Sequence, residues 1–471
     1  MSYNKVLALF FISASTLVAK GQLSEYDLNR PFGWTNCQSL TTDGYNTIGG
    51  GNGTSITLTS TGEDMRTEIT NAIKNNDIVI LDGSKGDFII SYSMDISKLS
   101  NKTIVGINDA RLCSEFYITE EITKLLDNAG VKSASTSSGT GGTLSNGSSV
   151  SEACEYKTRQ TLIDYTGDSK ETYRKAGIFN LKNCTNFILR NIKFVGPGSC
   201  DVGGYDLISS TGTTHLWVDH CEFTDGIDGN FDITKGSDFV TVSWCTFSYT
   251  DRSYNHQNCC LIGSSDSDTG DLNKLNVTFA NCLWGEGVNA RMPMARFGNI
   301  HMVNNYYNCA GNGSAAINPR KNSEFLIEGN YFESNVKAFA QSSAKAYVWN
   351  DNINNGKNDG STKGTVSFPY SYTAFDAVNV PTVINTYAGA TLIDPLTISN
   401  ASPINGIIRN AEYIVEGNTI YCDGYIEVYN INGRKVLQSQ KRVDLSILND
   451  NIYIVVIRCS DSSATFKIMK R

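Results

Sequence analysis

The sequence predicts an all-β chain: a parallel β-helix over most of its length, followed by a small β-sandwich. Three observations lead there. The composition is rich in turns and poor in charge, a strand-like segment recurs through the middle of the chain, and the residue pattern changes near position 403.

Of 471 residues, 18% are charged and 40% hydrophobic, with 42 glycines against 8 prolines. Low charge with many turns fits an extracellular all-β protein better than a helical one. The length exceeds that of a usual single domain, so a large architecture with an appendage is expected. The net charge of −8 argues against a nucleic-acid partner. It also means that an anionic substrate must be drawn in by local cations rather than by the overall field.

The chain opens "MSYNKVLALFFISASTLVAKGQ". Lys5 gives a positive start, Val6 to Ala19 an apolar stretch too short to span a bilayer, and Ala19-Lys20-Gly21 a small-x-small cut. Residues 1–21 therefore read as a signal peptide for export, with no stable membrane insertion expected of the remainder.

Six segments resemble one another: "NFILRNIKF", "HLWVDHCEF", "FVTVSWCTF", "NVTFANCLW", "IHMVNNYYN" and "FLIEGNYFE". Aligned on the seventh residue they give a column of Ile192, Cys221, Cys245, Cys282, Tyr306 and Tyr331. The residue before each gives a second column, Asn191, His220, Trp244, Asn281, Asn305 and Asn330. Each segment alternates at period two with β-branched and aromatic residues, the mark of a strand. Repeats spaced roughly 24 to 37 residues apart signal stacked coils. A strand coil stacked at about 4.8 Å is a parallel β-helix, in which each rung buries its neighbour. The asparagine-rich column suggests a ladder of amide side chains inside a turn. Cys221, Cys245 and Cys282 fall in one inward column and read as small buried thiols. Of the 13 cysteines, Cys259, Cys260, Cys113 and Cys154 are the better candidates for disulfides, with partners left open.

The unusual polar residues fall a third to half of a turn beyond the column. Asp206, Asp228 and Asp232 do so, as do Arg291 and Arg296 on either side of Pro293. Stacking should crowd them onto one side of the solenoid. Gly229 supplies the bend that brings Asp228 and Asp232 together. Three carboxylates offer hard oxygen ligands, which suit Ca²⁺ rather than zinc. Two guanidinium groups beside them would make an anion clamp.

At these residues the chain resembles the pectate lyase family. The matching strings are "LWVDHCEFTDGIDGNFDITKGSDFVTVSW", "LIGSSD" and "RMPMARFGNIHMVNNYY", the last similar to an R-x-P-x-x-R-x-G-x-x-H-x-x-N-N signature. The resemblance runs from about residue 32 to 333 and more loosely to 390. It implies a right-handed parallel β-helix that cleaves polygalacturonate by β-elimination with calcium. It further implies that Asp206, Asp228 and Asp232 hold the ion, that Arg291 takes the C5 proton and that Arg296 holds a substrate carboxylate. Arginine is protonated at ordinary pH, so an arginine base implies an alkaline optimum. The chain departs from the family at Asn258, where a substrate-binding lysine is usual; Arg252 is the nearest cation in the chain to replace it. His220 of "WVDH" reads as structural. A pectin lyase acting on methyl-esterified substrate without calcium, or a non-catalytic glycan-binding β-helix, are the rival readings.

The β-helix domain is expected over residues 22–390, with a flexible Ser/Gly-rich loop at 133–153 and a linker at 391–402. From 403, "GYIEVYNINGRKVLQ" reads as a hairpin about Asn432-Gly433. This last module resembles the carboxy-terminal sorting domains of the type IX secretion system, which implies the secretion machinery as a partner. A secreted monomer is expected.

Overall fold

The structure, a computed structural model, describes residues 28–131, 150–340, 343–372, 374–397, 413–416, 419–430, 434–449, 451–458 and 463–470. The predicted signal peptide, most of the Ser/Gly-rich loop and the Asn432-Gly433 turn lie outside the described residues. The chain divides into two units, one spanning Pro31–Asn400 and the other holding Ala401–Arg471.

The larger unit is a parallel β-helix. Each full rung lays one strand in each of three parallel sheets, which hold ten, nine and seven strands. In one rung these are Ile208–Thr211, Thr214–Asp219 and Glu222–Thr224; in the next, Phe231–Thr234, Asp238–Ser243 and Thr246–Ser248. Between the ten- and nine-stranded sheets the chain turns on a single left-handed residue. Asn191, His220, Trp244, Asn281, Asn304, Gly329 and Asp351 fill that place, with φ between 47° and 60°. Asparagine and glycine are enriched there because they tolerate this conformation best.

Alternate residues of each strand point inward, and equivalent positions stack rung on rung. On the nine-stranded sheet Phe194, Phe223, Phe247, Trp284, Tyr307 and Phe332 form a continuous aromatic pile, with successive ring centroids 4.3 to 6.0 Å apart. Such pairs add about 0.5–1.5 kcal/mol each beyond the area they bury. Cys221, Cys245 and Cys282 stack in the next column, buried and free, as expected.

The pairing corrects the sequence alignment at its far end. Tyr306 and Tyr331 pair in register with Leu283 rather than with Cys282. The residues that continue the cysteine column are Asn305 and Asn330. The amide ladder is there: Asn305 Nδ2 donates to Asn330 Oδ1 at 2.9 Å, and Asn330 Nδ2 to Asn352 Oδ1 at 2.9 Å. The same two acceptors also take the backbone N–H groups of Asn305 and Asn330, and Asn305 Oδ1 takes that of Cys282.

No disulfide joins the cysteines expected to bridge: every cysteine among the described residues is free and buried. Cys259 and Cys260 stand with Sγ atoms 3.8 Å apart. Cys154 faces the Val131 carbonyl, while Cys113 lies beside Asp87 and Tyr117.

Helices appear where the sequence reading placed none. Arg66–Asn75 buries Ile69, Ala72 and Ile73 against the first rungs. Glu120–Asn128 and Val150–Thr166 build a side cluster with Ile122, Leu126, Cys154 and Leu162 against Val202, Ile227 and Tyr254. The second of these helices begins inside the segment expected to be a loop.

The outer face of the ten-stranded sheet is covered by both ends of this unit. Trp34 packs against Phe239, Phe368 and Tyr370. Arg190 and Asp219, both fully buried, pair at 3.0 Å, and Arg190 also donates to the Thr397 carbonyl at 2.7 Å. Residues 391–397, expected to begin a linker, are thus strapped to the sheet, with Leu392 N bonded to Asn191 and, just before them, Ala390 N to Glu222. His220 is structural: Nδ1 bonds Asp219 at 2.8 Å and its ring stacks on Trp244.

The smaller unit is one antiparallel sheet. The long strand Thr419–Asn430 pairs with Lys435–Asp444 on one edge, confirming the hairpin, and with Tyr413–Glu416 and Asn451–Arg458 on the other. Ser463–Lys470 completes it, and Ile426, Val428, Val455 and Ile457 form its apolar face. Among the described residues no helix is long and apolar enough to cross a membrane.

His301 is fully buried, with Nε2 at 2.9 Å from Glu328 and Nδ1 at 2.9 Å from the Tyr370 hydroxyl. Burial holds its pKa below the usual 6.5 although Glu328 works in the other direction. The unfolded chain therefore binds more protons, so His301 contributes stability above about pH 6.5 that is lost as pH falls below it. His301→Gln should show a shallower loss of stability than wild type between pH 7 and 5 in urea titrations; parallel curves would contradict this.

Candidate active site

The loops that leave the nine-stranded sheet and return to the seven-stranded sheet all emerge at one corner of the helix. Four successive loops carry the polar residues. Residues 196–207 hold Asp201 and Asp206, 225–230 hold Asp228, 249–260 hold His256 and Asn258, and 285–293 hold Arg291. Asp232 lies on the strand Phe231–Thr234, and Arg296 just beyond Met294–Ala295.

Hydrogen bonds between rungs tie these loops together. Leu207 N donates to the Gly229 carbonyl, Asn230 N to Cys259, Cys259 N to Ala290 and Cys260 N to Arg291. Asp206, Gly229, Asn258 and Arg291 thereby fall on successive rungs at nearly the same height. Gly229 is needed for space: a Cβ there would lie 2.6 Å from Asp206 Oδ1.

The predicted carboxylates are brought together electrostatically. Burial, then the charges of Asp232 and Asp228, pushes Asp206 well above the usual carboxylate range. Asp232 is pushed up to about 7 by burial, with Asp228 adding to it and Arg291, the Leu261 N–H and His256 opposing. Asp201, which the sequence reading missed, belongs to the same group: burial raises it and Asp228 adds to the rise. Buried like charges without a matching cation are costly, so this donor set suits a hard divalent cation. Among the described residues no three His, Cys, Asp or Glu side chains form a closed ligand set. Each carboxylate is drawn to a protein donor instead: Asp206 to the Ser209 hydroxyl at 2.8 Å, Asp232 to Leu261 N at 2.9 Å and Asp228 to His256 at 2.9 Å.

The two arginines differ. Arg296 is pinned, its Nε donating to Asp266 at 2.6 Å and its NH1 to the Gly263 carbonyl at 3.0 Å. Arg291 makes no ion pair among the described residues, and its charge acts on Asp232, Asp201 and His256. Arg252, the expected stand-in for the family lysine, is committed elsewhere. Its guanidinium lies 4.6 Å from the Tyr117 ring centroid, donates to the Gly196 carbonyl and stands 3.9 Å from the buried Asp225.

The geometry defines a parallel β-helix with an acidic corner on which the charge of Arg291 acts. A family model described as pectate lyase matches residues 151–392. Pectate lyase A of Aspergillus niger is 35% identical over 221 residues, covering 45% of this chain and 64% of that protein. The match thus spans less than two thirds of that relative. A probable pectate lyase B of Aspergillus terreus is 30% identical over 335 residues, 64% of this chain and 95% of the relative. A pectate lyase from Bacillus sp. N165, solved in complex with trigalacturonate, shares the fold with a TM-score of 0.50 at 18% identity, covering 76% of this chain and 98% of its own. The chain belongs to the pectate lyase family.

Arg252→Ala removes a cation–π contact and a hydrogen bond and should cost about 1–2 kcal/mol in chemical denaturation. An unchanged unfolding midpoint would show that its packing contributes nothing.

Proposed function

We propose that this chain is a secreted, calcium-dependent pectate lyase that cleaves α-1,4-polygalacturonate by β-elimination to 4,5-unsaturated oligogalacturonides. The observation that carries the reading is the gathering of Asp206, Asp228 and Asp232 on one corner of the β-helix with Arg291 beside them. The carboxylates, crowded together with Asp206 buried, are suited to hold the ion. When bound, calcium supplies positive charge against the uronate carboxylate, where charge accumulates as the C5 proton leaves.

The protein's own part is positioning and proton transfer. Arg296, fixed by Asp266, presents its remaining N–H groups to a substrate carboxylate. Arg291, which makes no ion pair among the described residues, accepts the C5 proton once alkaline pH has removed its own. The electron pair of that C–H bond becomes the C4–C5 double bond as the C4–O bond breaks, and the departing glycosidic oxygen takes a proton from solvent water. Arg252 is assigned a bracing role, so the place of the family lysine at Asn258 is left to other groups.

Polygalacturonate with Ca²⁺ should give products with the ultraviolet absorbance of a conjugated unsaturated uronate. A chelator should abolish the signal and Arg291→Ala should lower the rate about 100-fold or more. Chelator-resistant cleavage of esterified pectin would instead favour a calcium-free pectin lyase. No cleavage of any pectic polymer would favour a glycan-binding protein.

The antiparallel carboxy-terminal sheet is assigned to sorting by the type IX machinery, and residues 1–21 to export. Deleting residues 403–471 should retain lyase activity in the lysate and stop its appearance outside the cell; unchanged export would refute the sorting role.

A further inference from the structure

His256 was not singled out by the sequence, and its surroundings explain more than a loop residue requires. Three corner loops are stitched to one another beneath it. Cys200 N donates to the Ile227 carbonyl, Tyr254 N to the Ser199 carbonyl and Ser199 N to Ser253 Oγ. The Ser199 hydroxyl donates to the Asn255 carbonyl at 2.6 Å, and Asp201 N to Asn255 Oδ1 at 2.8 Å. His256 stands at the end of this stitching in a left-handed turn, φ 61°, closed by Asn258 N on its own carbonyl at 2.7 Å.

From there the imidazole reaches between two carboxylates. Nε2 lies 2.9 Å from Asp228 Oδ1 and Nδ1 lies 3.7 Å from Asp201 Oδ1. The Asp228 side chain is 30% exposed and sits in a loop that contains Gly226 and Gly229. Among the described residues His256 is the side chain that pairs with it, and the contact is made to Oδ1. Carboxylates that ligate metals are commonly oriented by such a second hydrogen bond, whose loss weakens metal affinity about 10–100-fold.

We propose that His256 is a positioning residue for the divalent cation, its Nε2–H holding Asp228 in the orientation that joins it to Asp206 and Asp232, with Asp201 steadying the ring. This rests on the calcium reading given above. It is distinct from substrate or proton-transfer chemistry, because His256 acts through Asp228.

Calorimetric titration of the full chain with Ca²⁺ tests it, using wild type, His256→Leu, His256→Gln and Asp228→Asn. His256→Leu should bind Ca²⁺ about 10–100-fold more weakly than wild type, and His256→Gln, which keeps an N–H donor, should recover most of the loss. Urea unfolding without calcium should be nearly the same for the two His256 variants, which separates positioning from general support of the loops. Wild-type affinity in His256→Leu, or equal weakening in His256→Gln and His256→Leu, overturns the proposal. Failure of wild type itself to bind Ca²⁺, or unaltered binding by Asp228→Asn, brings down the calcium reading and this proposal with it.

Discussion

In-register hydrogen bonding between parallel rungs converts distance along the chain into adjacency in space. A residue fixed at one height in a rung finds its counterpart one strand spacing away in the next, about 4.8 Å. The inward columns show the effect in the core, where Phe194, Phe223, Phe247 and Trp284 pile ring on ring. The corner loops show it at the surface, where Asp206, Gly229, Asn258 and Arg291 come from four successive turns of chain. The same bonds that stabilise the solenoid therefore assemble the site.

That assembly carries an electrostatic strain of its own. Asp206 is buried and Asp232 half-buried, near each other and near Asp228, and desolvation with like charge raises both. Removing carboxylates from water disfavours the ionised form unless a counter-charge is supplied. Arg291 supplies part of it. The remainder is what a calcium ion would contribute, and the uronate carboxylate would bring further negative charge toward the same cations.

Much of this was legible in the sequence, for physical reasons. Period-two alternation and the recurring aromatic and cysteine positions are direct consequences of stacked strands, so the β-helix and the inward cysteine column could be read. The spacing of Asp206, Asp228, Asp232 and Arg291 from that column placed them on one corner. The final register was misread because Asn304 and Asn305 stand side by side, so the column was read one residue late at Tyr306, whereas Asn305 follows Cys282 at a separation of 23. The helix Val150–Thr166 was missed because it adjoins a Ser/Gly-rich stretch and its apolar residues serve a side cluster, not a long amphipathic stripe. Disulfides were expected from export, yet the thiols pack in apolar columns. Asp201 and His256 were hidden because nothing in "GSCDVGG" or "SYNHQN" reveals that the loops bond to each other. Arg252 was chosen for its nearness in the chain, and sequence alone could not show that its guanidinium meets the Tyr117 ring and the Gly196 carbonyl.

The most direct measurement is a crystal structure of the protein grown with Ca²⁺, with the ion located by its anomalous scattering. An ion held by oxygens of Asp206, Asp228 and Asp232 at about 2.3–2.6 Å, with the Arg291 guanidinium facing the open side, is the predicted result. An ion bound elsewhere, or three carboxylates that stay apart on their protein donors at saturating Ca²⁺, would contradict it.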